Sequence, residues 1–294
     1  MTTVGREPSV CLLTGSSGYL GGRVAHAFRE QGWRVVEVTR RPSPDTDAIR
    51  HELGADLPAG TLPSAAALVH CAYDFSQRSW RDIHRINVEG SARLMRAARA
   101  AGVPRTIYIS SISAFPGCRS LYGAAKLETE AIAQELGAVV IRPGLIWGNP
   151  PGAMFGSLVT QVDGARVVPL VGGGTQVQFL VHEHDLSDAI VRFAAGDIAP
   201  SPHPVTIANE EPHTMRQLLE RIGAARGKKL SCVSVPWRPV WAALKLAEAL
   251  GLPTPFRSDS LVSLMYQNPR PSFGEQRQLG ISCRPFTPES LLRG

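Results

Sequence analysis

Residues 10–21 read VCLLTGSSGYLG, an apolar run of strand length that leads into a turn containing three glycines. The residues that follow, up to residue 30, repeat apolar positions at helical spacing. Glycine at the junction of a strand and a helix permits a tight turn, and it lets main-chain amides approach a pyrophosphate at the N-terminus of the helix. The stretch therefore predicts a strand, a turn and a helix that together bind a dinucleotide.

Apolar runs of strand length alternate with helical stretches from residue 10 to residue 142. The predicted strands are 10–14, 34–39, 67–72, 106–111 and 139–142, and the predicted helices are 20–30, 80–101 and 121–136. Gly102 and Gly137 follow two of these helices at the usual position of a C-terminal glycine. This order predicts an α/β fold with a doubly wound parallel sheet of the Rossmann type.

The alternation ends after Arg142, where prolines and glycines become frequent. We expect residues 1–142 to form the dinucleotide-binding core and residues 178–198, a strand and a helix, to return to it. Residues 143–177 and 199–294 are expected to form a smaller C-terminal substrate-binding lobe.

The composition is that of an ordinary globular protein, with 44% hydrophobic and 19% charged residues over 294 positions. The net charge of +6 is dispersed along the chain, so no nucleic-acid partner is predicted. The five cysteines form no C-x-x-C pair, which argues against disulfides and zinc and favours a reduced, cytoplasmic location. No apolar run is long enough to span a membrane, and none resembles a secretion signal, so no membrane partner is expected.

Tyr122 and Lys126 stand four residues apart in a predicted helix, so both side chains lie on one face. A free tyrosine ionises near pH ~10, and a nearby ammonium and an oxidised nicotinamide would favour its phenolate. The preceding strand ends in Ser110-Ser111-Ile112-Ser113, which offers hydroxyl groups for the same site. These residues predict a proton-transfer centre with Ser111 as the preferred hydroxyl and Ser113 as the alternative.

The T-G-x-x-G-x-x-G spacing of residues 14–21, together with Tyr-x-x-x-Lys at residues 122–126, resembles the extended short-chain dehydrogenase/reductase family, which includes NAD(P)-dependent epimerases and dehydratases. The resemblance implies that Tyr122 moves a proton, that Lys126 also holds the nicotinamide ribose, and that Ser111 is the second serine of an S-S motif. In the register of some sugar epimerases, Ile112 would stand at the hydroxyl position instead. A T-D-E motif is missing, which disfavours dehydration.

The resemblance also implies a set of cofactor contacts. His70-Cys71-Ala72 matches an H-x-A segment beside the cofactor, Asn87 begins an N-V-x-G motif, and Arg142-Pro143-Gly144 matches an R-P-x segment near the nicotinamide. Asp56, before Leu57, matches an acid set near the adenine. The implied cofactor-binding residues are Thr14, Gly15, Ser17, Gly18, Tyr19, Leu20, Gly21, Arg40, Arg41, Asp56, Leu57, Cys71, Ala72, Asn87, Ser110, Tyr122, Lys126 and Pro143.

The end of the second strand, Glu37-Val38-Thr39-Arg40-Arg41, bears on the choice of cofactor. Thr39 stands where NAD-preferring relatives carry an acid for the ribose 2′-hydroxyl. Arg40 and Arg41 are suited to pair with a 2′-phosphate, so NADP(H) is preferred. A shift in register that brought Glu37 to this position would favour NAD(H).

The substrate is expected to be a small carbonyl or alcohol compound. Residues flanking the expected cleft are candidates to line its pocket, although packing in the core explains them equally well: Tyr73, Ser113, Trp147, Met154 and Phe155. Gln178 stands where nucleotide-sugar enzymes commonly carry an arginine for the diphosphate. No metal site is predicted at residues 182–185, because the resemblance explains this segment and Asp185 can cap the following helix.

Three functions follow in order of preference. The first is an NADP(H)-dependent oxidoreductase that interconverts a secondary alcohol and a ketone or aldehyde. The second is a nucleotide-sugar epimerase with tightly held NAD(P), and the third is a dinucleotide-binding sensor without turnover, which usually lacks the tyrosine and lysine pair. A homodimer is left open, because the apolar stripe of Val240, Leu244 and Ala247 is typical of a core or a subunit contact.

Overall fold

The computed structural model of the chain describes residues 8–254, 256–268 and 270–289. The strands are β1 Val10–Thr14, β2 Arg34–Thr39, β3 Ala48–Arg50, β4 Ala67–His70, β5 Arg105–Ile109, β6 Val139–Pro143, β7 Leu145–Trp147, β8 Val167–Val171, β9 Val177–Gln178, β10 Leu180–His182, β11 Val205–Ile207, β12 His213–Thr214 and β13 Ser231–Val235. The helices are α1 Tyr19–Glu30, α2 Trp80–Ile83, α3 Glu89–Ala100, α4 Leu121–Glu135, α5 Ala153–Gly164, α6 Glu183–Ala195, α7 Met215–Ala225, α8 Trp237–Ala249, α9 Ser258–Met265 and α10 Gly274–Gln278.

The central sheet has seven strands in the order β11-β6-β5-β4-β1-β2-β3. Strand β1 pairs in parallel with β2 on one side and with β4 on the other, and β5 pairs in parallel with β4 and β6. The order reverses between β1 and β4, which is where doubly wound folds bind their ligands. The predicted α/β fold of the Rossmann type is confirmed.

Several predicted elements differ from the structure in informative ways. Strand β3 was not predicted, because its three residues are only partly buried at the edge of the sheet and form no apolar run. The predicted helix 80–101 is interrupted by a π-helical turn, His84–Val88, between α2 and α3. Strands β4 and β5 end at His70 and Ile109, two residues before their predicted ends, and the residues after them form loops of the candidate site. Gly102 and Gly137 do end their helices with positive φ, as predicted.

The described chain divides into two compact units. The first comprises residues up to 110, 128–141 and 186–205. Its core packs apolar side chains from neighbouring strands, Leu12, Val36, Leu68, Tyr108 and Val140, against helix residues. Because these strands are buried on both faces, their sequences are continuously apolar.

The second unit comprises residues 111–127, 142–185 and those from 206 onward. It contains the parallel pairs β7 with β10 and β8 with β13, and the antiparallel pair β9 with β12. Its core is centred on Phe286, whose ring meets Trp147 edge-on at 5.1 Å and Phe155 at 5.6 Å. The predicted division into core and lobe stays a prediction. The second unit does include the serine segment and the first turns of α4, which we had expected in the dinucleotide-binding core.

The glycine turn depends on one close approach of main chain. Gly15 has φ +74°, in the left-handed region that favours glycine. A Cβ atom on Gly21 would lie 2.0 Å from the carbonyl oxygen of Gly15, so α1 packs on the turn only because residue 21 has no side chain. Gly22, one residue further along α1, has room for a Cβ at 3.4 Å from the nearest atom.

We predict that Gly21→Ala lowers the melting temperature and weakens dinucleotide binding, because the added methyl group must push α1 away from Gly15. Gly22→Ala is the matched control. It should be neutral or stabilising by up to about 1 kcal/mol, since alanine is the better helix former. Thermal unfolding and cofactor titration of both variants check this, and equal behaviour of the two would contradict it.

Candidate active site

A cavity of about 270 Å³ opens in the first unit where β1, β2 and β4 end. Gly15, Ser17 and Gly18 of the turn line it, together with Thr14, Cys71 and Ala72. Its volume is below the roughly 300–1,000 Å³ of sites for drug-sized ligands, so it suits one part of a dinucleotide rather than the whole. A Cβ on Gly15 would lie 2.9 Å from the Ala72 nitrogen, so the turn can approach the loop after β4 this closely only because residue 15 is glycine. These features fit a dinucleotide.

Tyr19, Leu20 and Gly21 form the first turn of α1, next to the cavity-lining Gly18. Among the described residues, no side chain caps this helix at Gly18, and its first turn carries no acid. The positive end of the helix dipole is therefore suited to an anion.

A chain of buried hydrogen bonds joins the turn to the end of β4. The Thr14 hydroxyl lies 2.7 Å from His70 Nδ1, and His70 Nε2 lies 2.8 Å from the Ser91 hydroxyl. Ser91 donates to the carbonyl of Asn87, so it accepts from His70, which assigns the proton of a neutral His70 to Nε2. His70 is therefore a structural residue, and Thr14 Oγ1 is left to accept from the Ala72 amide at 3.1 Å.

Asn87 fixes the loop after β4 rather than the sheet itself. Its side-chain oxygen accepts from the Asp74 amide at 2.6 Å, and its side-chain nitrogen donates to the Asp74 carbonyl at 3.1 Å. Asn87 lies in the π-helical turn. Gly90, three residues on, brings α3 against Gly54, where a Cβ on Gly90 would lie 2.6 Å from the Gly54 nitrogen. The N-V-x-G pattern thus positions two loops that line the cavity or adjoin it.

The end of β2 presents Thr39 and Arg40 to the cavity. Arg41 is exposed and lies outside the set of described residues that line the cavity, with its amide 3.4 Å from Thr39 Oγ1. Glu37 accepts hydrogen bonds from Ser16 at 2.7 Å and from Arg29 at 2.8 Å, and it does not belong to the described residues that line the cavity.

Asp74 lines the same cavity as Arg40, and its pKa responds to the Arg40 charge. Partial burial would raise the pKa of Asp74, but hydrogen bonds from Gln77 and Ser76 and the charge of Arg40 lower it overall. The guanidinium of Arg40 therefore acts on the cavity, where a phosphate group would meet it.

Asp56 and Leu57 lie elsewhere than expected. Asp56 is exposed, and Leu57 packs against the core of the first unit. The residues that line the cavity after β3 are instead His51, Glu52 and Leu53. In the loop after β3, an acid followed by leucine occurs twice, at Glu52 and at Asp56. Only the position of the short strand β3 distinguishes the two.

The predicted hydroxyl, phenol and ammonium lie together in the second unit. Ser111 hydrogen-bonds to the phenol of Tyr122, and Lys126, one helical turn along α4, is buried with 3% of its surface exposed. Burial raises the pKa of Tyr122 to about 12, although the hydrogen bond with Ser111 acts in the opposite direction. We had expected the Lys126 ammonium to favour the phenolate of Tyr122 and so to lower its pKa. The pKa is raised instead, because burial outweighs the factors that favour the phenolate and stabilises the neutral phenol.

In the loop after β5, the serines on either side of Ser111 have hydrogen-bond partners other than Tyr122. Ser110 donates to the buried Glu130, whereas the Ser113 hydroxyl lies 3.2 Å from the Ser263 hydroxyl. Gly123 allows α4 to approach this loop, since a Cβ there would lie 2.5 Å from the Ser113 carbonyl oxygen. Pro143, predicted near the nicotinamide, is buried at the end of β6.

The residues proposed to line a substrate pocket have different surroundings. Trp147 and Phe155 are 1% and 0% exposed and belong to the apolar core of the second unit, which favours the packing alternative that the sequence left open. Met154 is 51% exposed. Tyr73 lines the cavity of the first unit and packs against Phe75, with ring centroids 4.7 Å apart.

The acidic and histidine segment 182–185 has a structural explanation. The carboxylate of Asp185 accepts from the Arg284 side chain at 2.6 Å and from the Arg284 amide at 2.8 Å. Asp185 lies within α6 and not before it, so it does not cap that helix as expected. Within residues 8–254, 256–268 and 270–289, no group of three His, Cys, Asp or Glu side chains is arranged to hold a metal ion. In the same ranges no helix is both long and apolar enough to cross a membrane.

Comparison with known proteins identifies the family. The model of the NAD dependent epimerase/dehydratase family matches residues 11–208. The chain belongs to this family. It is 24% identical over 250 residues to a ceramide reductase of Caulobacter vibrioides, covering 82% of this chain and 78% of that protein. It is 27% identical over 279 residues to a 3-beta-hydroxysteroid dehydrogenase of Mycolicibacterium neoaurum, covering 79% and 74%.

Among solved structures, MoeE5 in complex with UDP-glucose and NAD matches with a TM-score of 0.74 and 20% identity, covering 97% of this chain and 96% of that one. At this identity the likeness concerns the fold. The resemblance predicted from the sequence is confirmed, and the chain is an NAD(P)-dependent enzyme of the extended short-chain dehydrogenase/reductase type. The specific reaction and the choice between NAD and NADP belong to the proposal below.

For this member of the epimerase/dehydratase family, we predict that Tyr122 in the cofactor-free protein keeps its proton until about pH 12. Because this pKa lies above the ~10 of an unfolded chain, the stability gained from Tyr122 is complete below pH ~10 and is lost as the pH rises towards 12. The difference in tyrosinate absorbance between wild type and Tyr122→Phe, followed through an alkaline titration, checks the value. A step at or below pH ~10 would contradict it.

Proposed function

We propose that the protein is an NADP(H)-dependent oxidoreductase that interconverts a secondary alcohol and a ketone or aldehyde of a small molecule. The observation that carries the proposal is the hydrogen bond between Ser111 and Tyr122 beside the buried Lys126. A hydroxyl, a phenol and an ammonium in this order can hold a carbonyl oxygen and deliver a proton to it.

In the reductive direction, Tyr122 donates its phenolic proton to the carbonyl oxygen of the substrate while Ser111 hydrogen-bonds to the same oxygen. A bound dinucleotide would supply the hydride for the carbonyl carbon. Lys126 then stabilises the phenolate left on Tyr122, and a proton from solvent restores the phenol. The raised pKa of Tyr122 suits this direction, because the residue is protonated at neutral pH before the reaction.

Two features favour net oxidation and reduction over epimerisation of a nucleotide sugar. Gln178, at the position where an arginine would hold the diphosphate, is buried in β9 opposite His213, with 6% of its surface exposed. The names of the two relatives above are those of a reductase and a dehydrogenase, and their substrates, a ceramide and a steroid, are apolar. We therefore propose an apolar alcohol or ketone as the substrate class.

Arg40 supports the choice of NADP(H). It lines the cavity beside Thr39, which replaces the acid that would repel a 2′-phosphate. The charge of Arg40 also helps to lower the pKa of Asp74, another residue of the cavity lining. A guanidinium at this position can form charge-assisted hydrogen bonds with the phosphate oxygens.

We predict that Tyr122→Phe lowers kcat by roughly 10²- to 10⁴-fold, the usual contribution of a general acid, and leaves the Kd for NADPH nearly unchanged. NADPH consumption should be measured against ketosteroids and ceramide-type ketones. Tyr266→Phe is the matched control, because its ring packs against Trp237 and Arg119 and the substitution likewise removes one phenolic hydroxyl.

Undiminished turnover by Tyr122→Phe would contradict the proposed mechanism. Isomerisation of UDP-glucose without net NADPH consumption would replace the proposal with an epimerase. Cofactor binding with no turnover of any of these compounds would favour the dinucleotide sensor.

We predict that Arg40→Ala raises the Kd for NADPH by roughly 10-fold or more and leaves the Kd for NADH unchanged, because the lost hydrogen bonds involve a charged phosphate. Arg41→Ala, which removes the same charge outside the cavity lining, should change neither value by much. Fluorescence titration with the two nucleotides separates these outcomes. Equal effects of the two substitutions would refute the assignment of Arg40.

A further inference from the structure

The first turn of α4, which carries Tyr122, is held from a helix far along the chain. The carboxylate of Asp259 in α9 accepts from the Leu121 amide at 2.7 Å and from the Tyr122 amide at 3.0 Å. The amides at the start of a helix have no partner within the helix, so they need acceptors from elsewhere. Asp259 supplies them for the first two positions of α4.

Ser120 satisfies the following positions by itself. Its hydroxyl accepts from the Gly123 amide at 3.1 Å, and its carbonyl accepts from the Ala124 amide at 3.0 Å. Ser120 is thus the local N-cap, and a sequence-based account of the helix would stop there. The two amides closest to the phenol depend instead on a residue more than 130 positions away.

Helix α9 also holds the serine loop. The Ser263 hydroxyl, one turn after Asp259, lies 3.2 Å from the hydroxyl of Ser113. The Ser113 amide in turn donates to Ser111 Oγ at 3.1 Å, so the hydroxyl that contacts Tyr122 is joined to α9 as well. One helix therefore contacts Tyr122 directly and is joined to Ser111 through Ser113.

The position of α9 is itself fixed. Ser258, which is buried, donates to the carboxylate of Glu248 from its amide and from its hydroxyl, both at 2.7 Å. Partial burial would raise the pKa of Glu248, but these two hydrogen bonds and nearby cations lower it. Asp259 is the next residue in the chain, so the two hydrogen bonds of Ser258 also fix the backbone from which the Asp259 side chain extends.

We propose that Asp259 is a positioning residue for proton transfer: by holding the Leu121 and Tyr122 amides, it sets the direction of the phenol relative to Ser111. This inference rests on the proposed oxidoreductase function. Asp259 acts through the backbone of α4. A carboxylate suits the task because it accepts two hydrogen bonds and carries the charge that the N-terminus of a helix favours.

The first test compares Asp259→Asn and Asp259→Ala with wild type in steady-state reduction. Misplacement of a reacting group lowers kcat more than KM, and we expect a loss in kcat of roughly 10- to 100-fold for Asp259→Ala. The kcat of Asp259→Asn should lie between those of wild type and Asp259→Ala, since asparagine has one side-chain oxygen to accept from the Leu121 and Tyr122 amides where aspartate has two. The Kd for NADPH should not change. A kcat for Asp259→Ala equal to that of wild type would overturn the proposal.

Thr214→Ala is the matched control for a loss of stability. Thr214 caps α7 by accepting from the Gln217 amide at 3.1 Å, so the substitution removes a helix cap elsewhere in the same unit. Its kcat per folded molecule should equal that of wild type. An equal loss of kcat in Thr214→Ala and Asp259→Ala would show a merely structural role and overturn the inference.

The second test is a double-mutant cycle. If Asp259 acts through the phenol, adding Asp259→Ala to Tyr122→Phe should lower the residual rate by no more than about twofold, because the positioned group is already gone. A further loss as large as in wild type would overturn the inference. The proposed function fails separately, when Tyr122→Phe itself retains full turnover.

A third measurement does not depend on activity. Amide hydrogen exchange of Leu121 and Tyr122 should accelerate in Asp259→Ala at least 10-fold, while that of Ala124, which is bonded to Ser120, should not. Unchanged exchange at residues 121 and 122 would overturn the inference, even where no substrate has been identified.

Discussion

The contact of α1 with the glycine turn is the constraint on which the dinucleotide site depends. The helix can begin directly after β1 only because Gly21 presents no side chain to the Gly15 carbonyl. That approach aligns the first amides of α1 with the edge of the sheet where its strand order reverses. Arg40 and Ala72, which also line the cavity, come directly after β2 and soon after β4.

Buried polar residues hold the loops around that cavity. Thr14, His70 and Ser91 form a chain in which each buried donor and acceptor has a partner, so the loop after β4 is held without a charged group. Asn87 adds two hydrogen bonds to Asp74. Since an unsatisfied buried polar group costs ~1–3 kcal/mol, such a chain tolerates little change. His70, which resembles a catalytic residue by type, is used entirely for structure.

The environment of Tyr122 combines two opposing effects. Burial favours the neutral phenol and the Ser111 hydroxyl favours the phenolate, and burial prevails in the protein. This balance between burial and the Ser111 hydrogen bond suits the proton transfer proposed for Tyr122, because a bound substrate or cofactor can change the protonation of the phenol. The Tyr122 and Gly123 amides at the start of α4 donate to Asp259 and Ser120, and these hydrogen bonds hold the turn that carries the phenol.

The sequence by itself determined the fold class, the glycine turn and the pairing of Tyr122 with Lys126, because these depend on periodicity and short spacings that a single chain displays. It also made Ser111 the preferred hydroxyl among three serines, and in the structure Ser111 hydrogen-bonds to Tyr122. Only the tertiary structure decided which residues share a surface. Glu52 and Leu53, not Asp56 and Leu57, are the residues after the short edge strand β3 that line the cavity. For Trp147 and Phe155 the sequence left pocket and core equally open, and both lie in a core where Phe286, more than 130 residues later, packs against them. Asp259 could not be found from sequence for the same reason: hydrogen bonds between residues distant in sequence leave no local pattern.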